Sequence, residues 1–330
     1  MTDILYSIRD LSVEYTTREG VARAVDNVSL DIQRGEILGL VGESGCGKST
    51  LGKALMRLHT GPAAISAGEL WLDGDNLMEF SQKQMRRVRG ARIGMVFQDP
   101  MTSLNPVQRI IDHLIETIRT HVPDTDEKEA RQRAEALVET LGIRRDRIDD
   151  YPHQMSGGMR QRVMIALALA LQAQLVIADE PTTSLDVIVE AKFLDLLKQL
   201  RNEFGLTIVL ITHNIGVVAE AADRVAVMYA GKIVEVGDVY DVFENPTHPY
   251  TKGLLRSVPN IDIEGDELYS MGGLPPNLLK PPSGCRFHPR CPDVMDVCRT
   301  LQPPLDEVER GQLSACWLYH EAPTEALNRG

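Results

Sequence analysis

The sequence has few cysteines and no long apolar run, and each shortage excludes a class of protein. Five cysteines in 330 residues are too few for a disulfide-stabilised secreted scaffold. The longest apolar run covers residues 163–171, whereas a membrane-spanning helix needs about 20 apolar residues. The first ten residues lack the positive start and apolar middle of a signal peptide. We therefore expect a cytoplasmic chain with reduced thiols that does not cross a membrane.

Positive charge is also in short supply. The 35 Lys and Arg residues face 47 Asp and Glu residues, which gives a net charge of −12. This balance provides no general attraction to nucleic acid or to anionic lipid. The hydrophobic fraction of 43% suits a soluble globular core, and the length fits two domains or one large one.

Short β-like runs alternate with helical ones along the first 240 residues, which is the pattern of an α/β domain. The predicted strands are residues 25–32, 36–41, 69–72, 92–97, 175–178, 206–212 and 224–228. A hairpin is expected where residues 225–229 and 233–236 flank a short turn. Residues 107–141 have helical spacing broken at Pro123, which predicts a mostly helical insertion. From Asn245 prolines become frequent, so we expect one domain over 1–244 and an extension over 245–330.

A glycine-rich segment lies between a predicted strand and a predicted helix. It fits the pattern G-x-x-x-x-G-K-[ST], in which glycines let backbone N–H groups surround a phosphate and the helix start adds positive charge. Lys48 is expected to reach the β and γ phosphates of a nucleotide, and Ser49 to ligate Mg²⁺. Cys46 occupies a variable position and is interpreted as a small filler. The predicted nucleotide-contacting residues here are Gly42, Glu43, Ser44, Gly45, Cys46, Gly47, Lys48, Ser49 and Thr50.

A second pattern supports a phosphate chemistry. The apolar strand over residues 175–178 is followed by Asp179 and Glu180. Ligands bind at the carboxyl ends of strands in open α/β sheets. Asp179 therefore suits Mg²⁺, and Glu180 suits a general base that polarises the attacking water.

Further motifs appear in the order that they have in ATP-binding-cassette (ABC) transporters, and residues 3–240 resemble the nucleotide-binding subunits of that family. Gln98 matches the glutamine loop, His213 the switch histidine, and Tyr15 the adenine-stacking aromatic. Residues 155–162 match the signature motif through Ser156, Gly157 and Gly158, and residues 184–186 match the D-loop through Ser184 and Asp186. Met155 and Met159 replace the best-known Leu and Gln of the signature, while its serine and glycines are intact.

The resemblance implies a P-loop ATPase fold: a RecA-like core, an N-terminal antiparallel β subdomain and a helical insertion over about residues 100–172. It implies that Glu180, His213, Gln98 and Lys48 are catalytic, and that Ser49, Gln98 and Asp179 hold Mg²⁺ beside ATP. Ser156 before a helix also forms a second anion site, as the first exposed turn of a helix does. Because one phosphate group does not need two such sites in one chain, the resemblance implies a head-to-tail dimer with a second cassette.

Three further segments resemble the oligopeptide and dipeptide importers, a branch that also carries nickel and some oligosaccharides. They are residues 97–106, 151–154 and 245–251, the last containing His248-Pro249-Tyr250. The resemblance implies a peripheral ATPase on the cytoplasmic face of the cell membrane. Its partners would be a paralogous ATPase, two transmembrane permeases and, indirectly, an extracytoplasmic binding protein, with no nucleic acid. The alternatives are a nickel or oligosaccharide cargo, a soluble ABC protein outside transport, and a redox-responsive module.

The extension holds Cys285, Cys291, Cys298 and Cys316. Four soft thiolates suit zinc or an iron–sulfur cluster. Their gaps are wider than the C-x₂₋₄-C pairs of zinc ribbons, and relatives with a similar tail hold a [4Fe-4S] cluster. We expect such a cluster, with zinc and unliganded thiols as alternatives, in a structural role or, as the sharper hypothesis, as a redox sensor.

Overall fold

The computed structural model describes residues 3–59, 61–183, 185–257, 271–309 and 311–321. Within these residues the strands are β1 (Ile4–Thr17), β2 (Gly20–Gln33), β3 (Ile37–Val41), β4 (Ala63–Leu72), β5 (Asp75–Asn76), β6 (Ile93–Val96), β7 (Leu175–Asp179), β8 (Thr207–Thr212), β9 (Arg224–Tyr229), β10 (Lys232–Asp238), β11 (Asp306–Glu309) and β12 (Gln312–Ser314). The helices are α1 (Lys48–Leu55), α2 (Gln82–Ala91), α3 (Pro100–Ser103), α4 (Ile110–His121), α5 (Glu127–Thr140), α6 (Gly157–Leu169), α7 (Val187–Phe204), α8 (Ile215–Ala221), α9 (Val239–Glu244), α10 (Pro249–Arg256) and α11 (Asp296–Thr300).

The chain divides into two compact units, which are described separately. The helical unit comprises residues 1–5, 33–37 and 76–211. The phosphate-loop unit comprises residues 6–32, 38–75 and 212–330. The expected boundary at residue 245 and the expected limits of the helical subdomain, about 100–172, stay predictions.

The helical unit contains a parallel sheet in the order β8-β7-β6 and a group of packed helices, α4, α5 and α6. The strands are buried along their whole length and consist mostly of Val, Ile, Leu and Ala, as expected of parallel strands covered on both faces. Helix α4 buries Ile110, Ile111, Leu114 and Ile118, which recur at helical spacing. The helices predicted over residues 107–141 are confirmed as α4 and α5, and Pro123 lies between them.

The phosphate-loop unit contains a four-stranded sheet, β2-β1-β4-β5, and a second run of strands in the order β11-β12-β10-β9-β3. The predicted hairpin is confirmed: β9 and β10 pair antiparallel. Its turn has positive φ at Ala230 (46°) and Gly231 (85°), as the tight hairpin turns require. The sequence reading missed β1, a 14-residue strand that pairs with β4. The mixed architecture agrees with the expected α/β class.

The proline-rich tail contains short helices and strands, and two of the strands extend a sheet. Strand β12 pairs antiparallel with β10, and β11 pairs with β12, so the tail adds two strands to the sheet edge. Helix α10 begins at Pro249, where a proline costs no helical hydrogen bond, and His248 caps it by accepting from the Tyr250 N–H. The described tail elements are short, as the frequent prolines predict: α10 has 8 residues, α11 five, β11 four and β12 three.

A buried carboxylate fastens this tail. Glu235 of β10 is 0% exposed and accepts hydrogen bonds from the Thr247 N–H, the Thr247 hydroxyl, the His248 N–H and the Gln312 amide. These four donors lie at the start of the tail and on β12, so one side chain connects β10 to both. A buried carboxylate is tolerable only when donors replace the water it loses.

We predict that Glu235→Ala lowers the free energy of unfolding by roughly 3 kcal/mol, because it leaves buried N–H donors without an acceptor. Chemical denaturation of the full chain measures this change. The matched control is Glu220→Ala, at an exposed glutamate of the same unit. Equal stability of the two variants would contradict the anchoring role of Glu235.

Candidate nucleotide-binding site

The phosphate loop between β3 and α1 depends on glycine at two positions. Gly42 has φ 155°, and a Cβ there would lie 2.1 Å from the Met228 carbonyl oxygen. Gly47 has φ 113°, and a Cβ there would lie 2.1 Å from the Ala24 carbonyl oxygen. No side chain fits either gap, because real Cβ contacts are never that short. The loop can therefore curve as the sequence motif predicts.

Lys48 is buried at the start of α1 with its ammonium group turned into the loop. Its Nζ atom donates to the carbonyl oxygens of Gly42 (2.8 Å) and Glu43 (3.0 Å). The thiol of Cys46 lies 3.9 Å from the same nitrogen and is buried, which raises its pKa. A buried, protonated thiol in the loop agrees with the interpretation of Cys46 as a filler.

The other predicted site residues of the phosphate-loop unit lie in the loop, at the start of α1, on β1 and directly after β8. Ser44 and Gly45 lie in the loop, and Ser49 and Thr50 begin α1. The Tyr15 hydroxyl lies 3.2 Å from the Thr50 hydroxyl, which fixes one end of the half-buried ring proposed to stack on adenine. His213 is exposed and directly follows β8.

In the helical unit the structure brings Gln98 and Glu180 together. The Gln98 amide donates to Oε2 of Glu180 at 3.2 Å, and the Thr183 hydroxyl donates to the same oxygen at 3.0 Å. Glu180 has φ 46°, although its N–H still donates to the Ile211 carbonyl at 2.8 Å. Strained φ values of this kind cost about 1–3 kcal/mol and occur at functional sites. The backbone thus turns sharply where the predicted base follows the buried Asp179.

The signature segment forms the N-terminus of α6. The Ser156 hydroxyl caps the helix by accepting from the Met159 N–H, and Asp186 caps α7 in the same way through the Val189 N–H. A Cβ at Gly158 would lie 2.9 Å from Val189, whereas one at Gly157 meets nothing closer than 3.9 Å. Ser156, Gly157, Gly158 and Asp186 line a cavity of about 470 Å³. Ser184 of the predicted D-loop lies outside the described residues.

Two tail residues that sequence reasoning did not select contact the phosphate loop. The Tyr250 hydroxyl accepts a hydrogen bond from the Glu43 N–H at 2.9 Å. The Arg290 guanidinium forms two hydrogen bonds with the Glu43 carboxylate, at 2.8 and 2.9 Å. The segment His248-Pro249-Tyr250 is assigned from family resemblance alone. The structure shows that Tyr250 in it contacts the phosphate loop. No local pattern pairs Arg290 with Glu43.

The four tail cysteines are free thiols. Burial, together with the charges of neighbouring cysteines, raises the pKa values of Cys285, Cys291 and Cys316 to about 11. The side chains are therefore near one another. Among the described residues, however, no group of three or more His, Cys, Asp or Glu side chains is arranged to hold a metal ion. The expected [4Fe-4S] cluster thus lacks support in this structure.

The predicted Mg²⁺ ligands fit the ion by chemistry. Ser49, Gln98 and Asp179 offer hydroxyl, amide and carboxylate oxygens, and Mg²⁺ prefers hard oxygen donors. In the part of the chain that the structure describes, no helix is both long and apolar enough to cross a membrane.

Two family profiles match the chain. The ABC transporter profile matches residues 25–183, and the profile of the C-terminal region of oligopeptide and dipeptide transporters matches residues 234–298. A dipeptide transport ATP-binding protein of Bacillus subtilis is 44% identical over 98% of this chain and 97% of its own length. An oligopeptide transport ATP-binding protein of Escherichia coli is 44% identical over 96% of this chain and 93% of its own length.

Solved structures agree with these matches. A dimeric ATP-binding cassette, MJ0796, in a post-hydrolysis state with ADP and phosphate has a TM-score of 0.64 at 28% identity, covering 71% of this chain and 98% of its own. The cbiO1 subunit of a Clostridium perfringens ABC transporter has a TM-score of 0.63 at 29% identity, covering 74% and 92%.

Proposed function

The chain belongs to the ATP-binding subunits of oligopeptide and dipeptide ABC transporters, and on this premise we propose that it hydrolyses ATP to power peptide import. Membership rests on 44% identity to such subunits over nearly the full length. The match to the peptide-transporter C-terminal region, residues 234–298, favours peptides over nickel or oligosaccharides. It also disfavours a soluble ABC protein outside transport. ATP with Mg²⁺ is the expected substrate of this family.

The contacts around Glu180 support its assignment as the general base. Gln98 and Thr183 both donate to its Oε2 atom, so the carboxylate is held in one orientation. A base positioned in this way can take a proton from an attacking water without reorganising. We assign Lys48 and the loop N–H groups to the phosphates, Ser49 and Asp179 with Gln98 to Mg²⁺, His213 to the γ-phosphate, and Tyr15 to adenine. Bound Mg²⁺ would neutralise phosphate charge.

We predict that Glu180→Gln lowers ATP hydrolysis by about 100-fold or more while ATP still binds, because the amide keeps the size of the side chain but cannot accept the proton. Steady-state ATPase assays and equilibrium ATP binding measure the two effects. Glu203→Gln, at an exposed position of α7, is the control and keeps full activity. Near-normal hydrolysis by Glu180→Gln would remove Glu180 from the role of base.

The N-terminus of α6 supports the proposal of a second cassette. The helix start formed by Ser156, Gly157 and Gly158 lines a cavity of about 470 Å³. The N-terminus of a helix beside such a cavity suits an anion. We assign this surface, with Asp186, to the ATP of a paralogous partner subunit. Two permeases would hold the pair at the cytoplasmic face of the membrane, and an extracytoplasmic binding protein would deliver the peptide.

Purification of the complex from membranes tests the function directly. We predict that the tagged chain recovers a second, non-identical cassette and two polytopic subunits, and that peptide-loaded binding protein stimulates the ATPase of the complex. Binding protein offered nickel or an oligosaccharide is the comparison. Stimulation by one of these instead of peptide contradicts the cargo, and recovery of this chain alone contradicts the partners.

The tail cysteines carry a separate, finer proposal: that Cys285, Cys291, Cys298 and Cys316 bind a [4Fe-4S] cluster, with zinc as the alternative. Its support is the set of four free thiols, three of which, Cys285, Cys291 and Cys316, have pKa values raised in part by neighbouring cysteines. Among the described residues, no three of these side chains are arranged around a single metal ion.

We predict about four iron and four sulfide per chain after anaerobic purification, or about one zinc if the alternative holds. Cys298→Ser should lower the metal content, and Cys46→Ser, a cysteine outside the tail, should not. Metal-free wild-type protein that is folded and hydrolyses ATP would contradict both forms of the proposal.

A further inference from the structure

The phosphate loop carries a carboxylate of its own. Glu43 is the second residue of the motif, and its side chain is 24% exposed. A negative charge beside a triphosphate site opposes binding, since like charges a few ångströms apart repel by about 1 kcal/mol or more even in water. Something must neutralise Glu43 if the loop is to bind ATP tightly.

Arg290 supplies the opposite charge from 247 residues away in the sequence. Its Nη1 atom donates to Oε2 of Glu43 at 2.8 Å, and its Nη2 atom donates to Oε1 at 2.9 Å. The arginine side chain is only 5% exposed. Paired, two-bond contacts of this kind fix geometry as well as charge, and they are stronger where water is excluded.

The guanidinium is itself held in place. Its Nε atom donates to the Gly272 carbonyl at 3.0 Å, and Nη1 also donates to the Tyr229 hydroxyl at 3.3 Å. The carbon of the guanidinium lies 5.8 Å from the centre of the Tyr229 ring. Phe287, three residues before Arg290, packs against the rings of Tyr229 and Tyr250. The position of the arginine is thus fixed by contacts other than that with Glu43.

Glu43 is restrained at its backbone as well as its side chain. Its N–H donates to the Tyr250 hydroxyl, and its carbonyl accepts from the Lys48 ammonium. The tail therefore holds the peptide unit next to Gly42, the residue where the loop leaves β3. Movement of Arg290 would release the carboxylate, while Tyr250 and Lys48 would still hold the backbone of Glu43.

We propose that Arg290 is a positioning residue for nucleotide binding: by neutralising and fixing Glu43, the C-terminal tail sets the affinity of the phosphate loop for a triphosphate. The inference rests on the proposed function, because it assumes that this loop binds ATP. It adds a residue outside the cassette motifs to the site.

Binding of ATP with Mg²⁺ to the full-length chain, measured by calorimetry at low and high ionic strength, tests the role. We predict that Arg290→Ala weakens binding about tenfold at low salt and less at high salt, because the effect comes from an uncompensated charge that salt screens. Adding Glu43→Gln to Arg290→Ala restores binding to within about threefold of wild type, since no carboxylate remains unpaired. Arg299→Ala, at an exposed arginine of the same tail, leaves binding unchanged.

Two results would overturn the proposal. One is wild-type affinity in Arg290→Ala. The other is a double variant that binds as weakly as Arg290→Ala at every salt concentration, which would show a merely structural role. If Arg290→Ala does not fold, Arg290→Gln serves, because it removes the charge but keeps a long polar side chain, and it should bind ATP more weakly than wild type and be rescued by Glu43→Gln. Absence of rescue in that pair also overturns it.

The same measurements separate this proposal from the function it rests on. Lys48→Ala should abolish ATP binding whatever the tail does. If the wild-type chain itself binds no ATP, the proposed function fails. If the wild-type chain binds ATP and Lys48→Ala does not, while Arg290→Ala binds ATP with wild-type affinity, only the proposed role of Arg290 fails.

Discussion

The position of the tail depends on the hydrogen bonds that the Glu235 carboxylate accepts. This carboxylate is fully buried on β10 and accepts hydrogen bonds from uncharged groups of Thr247, His248 and Gln312. Because such a carboxylate cannot be left without donors, the chain that leaves β10 and the strand that returns to it must both come to this point. The position of α10, and with it of Tyr250, follows from that requirement. So does the short pairing of β12 with β10.

Much of the fold could be predicted because its signals are local. The strand, the glycine loop and the helix start around Lys48 follow one another within twenty residues, and the turn at Ala230-Gly231 is read from adjacent positions. Pro123 separates two helices for a reason that is visible in the sequence, since proline breaks the helical hydrogen-bond pattern. Family resemblance added the distant motifs, including Gln98, which the structure places against Glu180.

The remainder could not be predicted because it depends on tertiary contacts between distant residues. The pair Arg290–Glu43 spans 247 residues and has no spacing rule. Strand β12 is three residues long and is defined by its pairing with β10 and β11, since so short a segment carries almost no strand signal of its own. The strained φ of Glu180 is likewise imposed by its surroundings, because glutamate has no intrinsic preference for that conformation. The cysteine spacing predicted a metal centre that the described side chains do not assemble.

The contact between Arg290 and Glu43 also bears on how these proteins can be recombined. If the tail is replaced by one without an arginine at this position, the Glu43 carboxylate of the phosphate loop loses its partner. If the cassette is replaced by one without Glu43, the buried Arg290 guanidinium loses its carboxylate. The two residues form one charge pair although they lie in segments matched by different family profiles. Chimeras of this transporter class therefore need to exchange them together.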